Sequence, residues 1–298
     1  MPDIPVWNKC DNLCVMCANT KGFARNIARD YSLAKQALRL ERHLRGREAY
    51  RKNARTAGAW NLTGGEPTLN PDFLKAMAYF RRRLPGEQLV LLSNGRRFAN
   101  KAFTAAFGAA ARPPFRLAVS LHGPSAAVHD AVTGVKGSFL QTVSGLKNVF
   151  ALKDGPAVEL RVILHKLNFR ALAATLRFIR KTFRGRAYRL VVMHYESEGR
   201  GAANRRRLEV GLSATAAEVN SSARALAAFE EAALYHFPLC LLKPALRRLA
   251  AVSLPPEDRV YPAACRRCGA RGGCVGLMRP YFRAYGAGEL KELPPAGD

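Results

Sequence analysis

Three cysteines fall close together near the start of the chain, in the run Cys10-Asp11-Asn12-Leu13-Cys14-Val15-Met16-Cys17, with the spacing C-x3-C-x2-C. Three thiolates on one short loop can reach three corners of an iron–sulfur cube. The fourth iron is then left without a protein ligand and open to a chelating small molecule. Structural zinc is the competing occupant, but zinc closes its coordination with four protein ligands. The nearest histidine in sequence, His43, has no spacing that marks it as the fourth.

A second chemical signal is Leu62-Thr63-Gly64-Gly65-Glu66-Pro67-Thr68. Two glycines let a bound group approach the main chain, and the Glu66 carboxylate is a partner for a cationic amine. The same residues also suit a tight strand-to-helix turn. A second set of thiols comes late: Cys265, Cys268 and Cys274 have the spacing C-x2-C-x5-C, and Cys240 precedes them in His236-Phe237-Pro238-Leu239-Cys240. Four cysteines are the right number for a closed site, either a second [4Fe–4S] cluster or structural zinc.

The elements that must position these residues alternate along the chain. Strands are expected at Ile4–Trp7, Ala59–Leu62, Gln88–Leu92, Phe115–Leu121, Val158–Leu164 and Arg189–His194. Between them, helical spacing of apolar residues predicts helices over residues 33–52, Pro71–Arg83, Phe139–Lys153 and Ala171–Phe183, followed by one over Ala214–Leu234. Six β–α units in a row favour a parallel sheet with helices outside it. That is too few for a closed eight-stranded barrel, so the expected fold class is α/β, a partial (β/α)6 TIM-like barrel over residues 1–234. From residue 235 prolines recur and periodicity fades, which predicts a small cysteine-rich extension over residues 235–298. In such sheets chemistry sits at the C-terminal ends of the strands, where both the first cysteine loop and Gly64–Glu66 fall.

Composition sets the outer limits. The 298 residues are 48% hydrophobic, enough for a large core. No apolar run has the length to cross a bilayer, and the N-terminus lacks the apolar centre of a signal peptide. A cytoplasmic protein is expected, in which seven cysteines serve as metal ligands or reactive thiols rather than disulfides. The net charge of +26 is uneven: eleven Lys and Arg lie between Lys21 and Arg55, and Arg205, Arg206 and Arg207 form a second knot. Such a field attracts an acidic peptide, a phosphorylated metabolite or RNA. Nucleic acid is not favoured, because no aromatic residues are interleaved with the basic ones as a stacking platform requires.

Together these motifs resemble the radical S-adenosylmethionine (SAM) superfamily over essentially the whole chain. The resemblance runs through Cys10, Cys14 and Cys17, Thr63-Gly64-Gly65-Glu66-Pro67, Ser93-Asn94-Gly95, Val119-Ser120-Leu121-His122-Gly123, the stretch around His129-Asp130, Val158-Glu159-Leu160-Arg161-Val162, and Asn168. It implies a [4Fe–4S] cluster on Cys10, Cys14 and Cys17 whose open iron binds the amino and carboxylate groups of SAM. It also implies that Gly64, Gly65 and Glu66 hold the methionyl amine. Ser120 and Arg161 would face the ribose and the methionine carboxylate, and Met193 or His194 would lie near the adenine. The implied activity is reductive cleavage of SAM to a 5′-deoxyadenosyl radical that abstracts hydrogen from a substrate, fed by a low-potential donor of flavodoxin or ferredoxin type. The late cysteines resemble a shortened SPASM or twitch extension, with Met278 where a full SPASM run places its next cysteine. That implies one auxiliary [4Fe–4S] cluster on Cys240, Cys265, Cys268 and Cys274. A peptide or natural-product precursor ranks first as substrate, ahead of a small metabolite and RNA. No catalytic acid or base is assigned: Glu196 and Glu198 follow the sixth strand, where a solvated loop paired with arginines such as Arg200 is expected. A zinc-stabilised nucleic-acid-binding protein is the alternative of a different class.

Overall fold

A computed structural model describes residues 3–19, 28–47, 50 and 59–294. Its main sheet has eight strands in the order of the chain: β1 (Asp3–Trp7), β2 (Ala59–Gly64), β3 (Gln88–Ser93), β4 (Phe115–Ser120), β5 (Ala157–Leu164), β6 (Arg189–His194), β7 (Glu231–Tyr235) and the short β8 (Ala250–Ala251). Every neighbouring pair is parallel. Strict sequential order with right-handed crossovers places the connecting helices on one face of the sheet. These are α1 (Leu33–Leu44), α2 (Phe73–Arg83), α3 (Lys101–Ala110), α4 (Ala126–Thr133), α5 (Ser138–Phe150) and α6 (Leu172–Thr182). After β6 come α7 (Gly199–Ala203), α8 (Arg205–Leu208), α9 (Leu212–Ser221) and α10 (Ala223–Leu226). Among the described residues no pairing joins β8 to β1, so the sheet is a partial barrel and stays open.

The six expected strands form within a residue or two of their predicted limits. The Ala, Leu and Glu run over Ala214–Leu234 is not one helix. It divides into α9 and α10 and then enters β7, which pairs with β6 from Arg189↔Glu231 to Met193↔Tyr235. The helical composition of this run is overridden by its place between β6 and β8, where Leu234 is fully buried. The sheet therefore carries two strands beyond the expected six. The helix expected over residues 33–52 ends at Leu44, and residues 48, 49, 51 and 52 lie outside the described residues, as does much of the basic stretch from Lys21 to Arg55.

Alternation along each strand sorts two chemistries onto two faces. Ile4, Val6, Leu62, Leu89, Leu91, Leu117, Val119, Leu160, Val162, Leu190 and Val192 belong to one apolar core. The opposite, inner face carries Arg116, Ser120, Glu159, Arg161, Arg189 and Met193, which pair across the sheet as Ser120↔Arg161, Glu159↔Arg189 and Ile163↔Met193. Glu159, 2% exposed, is the centre of this face: Arg161 lies 2.5 Å away, Arg116 3.7 Å and Arg189 3.8 Å. Replacing Glu159 by Gln leaves three guanidiniums facing a neutral group. Because the arginines are partly solvated, a loss of about 1–3 kcal/mol is expected in urea unfolding, with Arg189 partly compensated by Glu231 at 3.3 Å.

Candidate functional site

The loop that follows β1 carries Cys10, Cys14 and Cys17, and it has no helix or strand of its own. Its peptide groups are paired instead with four other segments. Gly65 donates its N–H to the Trp7 carbonyl at 2.7 Å and Glu66 donates to Lys9 at 2.8 Å. Leu13 and Val15 donate to Thr133 and Val132 at the end of α4, at 2.8 and 2.9 Å. Arg200 and Gly201, at the start of α7, donate to the Cys17 carbonyl at 2.8 and 3.3 Å, and the Asn204 side chain donates to Val15 at 2.8 Å. From the turn after β3, Arg96 donates to the Asp11 carbonyl and to Asn12 Oδ1, and Asn94 Nδ2 donates to Asp11 Oδ1 at 2.6 Å. Beneath the loop Val15 and Met16 pack with Val132, Tyr195, Leu208 and Val210 in a small core of their own.

The two glycines of the second motif are explained by this docking. Gly64 has φ +131°, and a Cβ there would stand 2.1 Å from the Trp7 carbonyl oxygen; at Gly65 it would stand 2.3 Å from that of Lys9. Only a bare backbone lets the end of β2 press against the root of the cysteine loop. The Gly64 carbonyl in turn accepts from Asn19 Nδ2 at 2.6 Å.

Glu66 is 1% exposed, and its carboxylate accepts four hydrogen bonds: from Thr68 N at 3.1 Å, Thr68 Oγ1 at 2.6 Å, Ser93 Oγ at 2.8 Å and Asn94 N at 2.7 Å. Burial still holds its pKa above the ordinary carboxylate range, although each donor works against that. The side chain thus ties the end of β2 to the end of β3, and its charge stands close to Cys10.

Cys10 is exposed and Cys14 and Cys17 are half-buried. Desolvation within the loop, reinforced by the other two sulfurs, pushes the Cys14 thiol up to about 12. Desolvation at the root of the loop, then the negative charges of Glu66 and Asp11, push Cys10 up to about 12 despite its reach to solvent. Thiolates so disfavoured form when a metal cation compensates them. Among the described residues no three His, Cys, Asp or Glu side chains are grouped to hold a metal ion as they stand. Three thiols on one clamped loop are the donor set that a cube with one open corner takes, whereas a closed zinc site takes four ligands.

Of the residues expected to face SAM, Ser120 and Arg161 lie side by side on the inner face, with the Leu121 N–H donating to the Arg161 carbonyl at 2.9 Å. Arg161 donates through Nε to Glu159, which orients the guanidinium. Met193 shares that face. His194 does not: it is fully buried on the helix side, with Nδ1 3.0 Å from Thr215 Oγ1 of α9. Glu196 pairs with His236 Nε2 at 3.6 Å rather than with Arg200, and Glu198 is the N-cap residue of α7.

Five buried histidines sit at or near the C-terminal ends of the strands. His122 follows β4, with its N–H on His129 Nδ1 at 3.1 Å; His165 follows β5, His194 ends β6, and His236 follows β7 with φ +66°. His236 Nδ1 stands 2.9 Å from the His194 carbonyl. Burial lowers the pKa of His129 and His165 to about 4 and of His194 to about 3. The residues that clamp the loop, chiefly Asp11, Asn12, Arg96, Asn204 and Gly199, were not identified from sequence. Their one local hint is the Asp-Asn pair between the first two cysteines.

The late cysteines converge as well. Cys240, Cys265, Cys268 and Cys274 line one small pocket together with Pro238, Leu239 and Tyr261. The Leu239 and Gly276 amides both donate to Cys274 Sγ at 3.4 Å, and Tyr261 Oη donates to the Cys274 carbonyl at 2.7 Å.

The sequence profile described as the radical SAM superfamily matches residues 4–179. The crystal structure of Streptococcus suis SuiB is similar with a TM-score of 0.53 at 13% identity, over 78% of this chain and 48% of that one. SuiB bound to S-adenosylmethionine is similar with a TM-score of 0.54 at 14% identity, over 78% of this chain and 49% of that one. The chain spans about half the length of these structures, and at such identity they show the fold. No curated protein matches the chain. Among the described residues no helix is long and apolar enough to cross a membrane.

Two outcomes are expected. At Gly199, with φ +53°, a Cβ would stand 2.1 Å from the Ala18 carbonyl oxygen. Gly199→Ala should therefore cost about 2–4 kcal/mol in urea unfolding and lower the iron retained after anaerobic reconstitution. His122, His129, His165 and His194 have folded pKa values below their unfolded value, so the unfolded chain binds more protons. Their stabilisation is complete above the ordinary histidine pKa and is lost as pH falls from about 6.5 toward 4. Urea midpoints measured across that window should fall with pH, and His194→Gln should make the fall shallower.

Proposed function

The chain belongs to the radical SAM superfamily, and on that premise we propose that it modifies a peptide or natural-product precursor with the help of a second cluster. The observation that carries this reading is the convergence of Cys240, Cys265, Cys268 and Cys274 on one cavity at the C-terminal side of β7, separate from the clamped loop of Cys10, Cys14 and Cys17. Superfamily membership replaces the reading of the chain as a non-catalytic zinc protein.

In this reading Cys10, Cys14 and Cys17 hold a [4Fe–4S] cluster, and residues 1–234 form the core that binds SAM. When bound, cluster and SAM supply a 5′-deoxyadenosyl radical able to take hydrogen from an unactivated C–H bond. The protein's own part is placement. Gly64, Gly65 and Glu66 receive the methionyl amine, with the buried Glu66 carboxylate contributing negative charge while its lone pairs are held by Thr68, Ser93 and Asn94. Arg161, oriented by Glu159, offers its remaining guanidinium donors to the methionine carboxylate beside Ser120. Met193 borders the adenine from the inner face, where His194 does not reach. The edge of the sheet that stays open admits a larger substrate while the covered ends exclude water.

Residues 235–298 form a shortened SPASM- or twitch-like extension that holds one auxiliary [4Fe–4S] cluster. Two backbone amides aimed at Cys274 Sγ stabilise thiolate charge there. The low-potential electron comes from a donor of flavodoxin or ferredoxin type. The physiological location that suits such chemistry is a reducing one, the cytoplasm.

Anaerobically reconstituted protein given SAM and dithionite should release 5′-deoxyadenosine, and Cys14→Ala should release none. A brown wild type that makes no 5′-deoxyadenosine, with or without candidate peptides, would sink the activity. The iron count tests the second cluster: about eight irons are expected for wild type and about four for Cys265→Ala/Cys268→Ala, with the 5′-deoxyadenosine activity surviving in part. An unchanged count in that variant would exclude an auxiliary cluster.

A further inference from the structure

The helices after β6 do two things at once. Their backbone and Asn204 hold the cysteine loop at Cys17 and Val15, and the end of α8 accepts the Lys166 N–H through the Leu208 carbonyl at 3.1 Å. They therefore lie across the C-terminal ends of β5 and β6, at the rim of the barrel. Their outer surface is an open groove of about 720 Å3 lined by Ala202, Ala203, Asn204, Arg205, Arg206, Arg207 and Glu209. Three consecutive arginines on one turn line it and bring guanidinium forks to whatever occupies the groove.

The three arginines are not equivalent. Arg205 is committed to the fold: it lies 4.9 Å over the Tyr285 ring, donates to the Ala284 carbonyl at 3.1 Å and pairs with Glu209 at 3.5 Å. Arg206 and Arg207 are exposed. Arg207 directly precedes Leu208, whose carbonyl accepts the Lys166 N–H just past β5, so this end of the groove lies at the barrel rim. A cavity of this size is in the range that takes a small ligand or a short stretch of chain.

We propose that this groove docks a carboxylate-rich segment of a peptide substrate and so presents a neighbouring residue to the barrel, an inference that rests on the peptide reading above. Carboxylates match the guanidinium forks in geometry and charge. RNA is the other polyanion that such a surface could draw. It would be expected to use rings as stacking platforms, and the groove offers none: no aromatic residue lines it, and the nearby Tyr285 is already covered by Arg205. The glutamate in the wall is neutralised by Arg205, which leaves the net field of the groove positive.

The test is fluorescence anisotropy with a labelled oligoglutamate peptide and a single-stranded RNA of equal charge, using the full chain. Arg206→Gln/Arg207→Gln removes two exposed charges of the groove and leaves the Arg205–Glu209 pair in place. Arg184→Gln/Arg186→Gln removes the same charge from the loop before β6, at the opposite end of the barrel. The groove variant should bind the peptide about tenfold more weakly and the control within about twofold of wild type, as two exposed ion pairs would give. Wild type should prefer the peptide to the RNA. Equal weakening in both variants would mean a diffuse basic surface and overturn the proposal. Preferential RNA binding that the groove variant loses would make this a nucleic-acid site and overturn it too. The groove and the chemistry fail separately: a wild type that discriminates the peptide but never forms 5′-deoxyadenosine keeps the groove and loses the radical reading.

Discussion

A loop that offers three thiols to a metal cannot also spend its backbone on regular hydrogen bonding, so its peptide groups must be satisfied from outside. That constraint organises much of the molecule. The β1 strand ends where Gly65 takes its last carbonyl and Glu66 that of Lys9 just beyond; α4 ends where Thr133 and Val132 receive Leu13 and Val15; α7 begins where two amides reach Cys17. Each of these segments is at the C-terminal end of a different strand or its following helix. The strands must therefore be in register before the loop can be held, and the loop in turn stitches their ends together. The glycines at 64, 65 and 199 are needed because two backbones meet there without room for a side chain.

Charge on the inner face follows the same economy. A parallel sheet with helices on one side leaves its other face to be filled by something, and here it is filled by arginines organised around the buried Glu159. A carboxylate in that position neutralises part of the cationic field and fixes Arg161 in one orientation. Glu66 plays the equivalent part at the strand ends. Its four donors make it a rigid anionic point between β2, β3 and the cysteine loop, instead of a flexible side chain waiting for an amine.

The C-terminal segment adds a second thiol-lined space by different means. It has few regular elements, and its cysteines are brought together by short turns, by Tyr261 on the Cys274 carbonyl and by contact of Leu239 and Gly276 with the Cys274 sulfur. The segment is joined to the barrel by β7 and β8, so the two cysteine groups are built onto one continuous sheet.

What could be read from the chain alone was whatever depends on local spacing. The C-x3-C-x2-C run, the glycine pair before Glu66, the alternation of strands and helices and the grouping of four late cysteines are local, and the parallel sheet and the family follow from them. Strand β7 was hidden because its residues favour a helix and become a strand only at the edge that β6 provides. The side on which His194 lies, against that of Met193, depends on strand register, which a one-residue uncertainty inverts. The partners of Asp11, Asn12, Asn94, Arg96 and Asn204 join residues tens to nearly two hundred positions apart, and no local pattern encodes such pairings. Sequence determined which thiols stand near one another along the chain and where the strands lie; tertiary structure alone decided what holds those thiols in place, because that work is done by long-range contacts to backbone groups that every residue possesses.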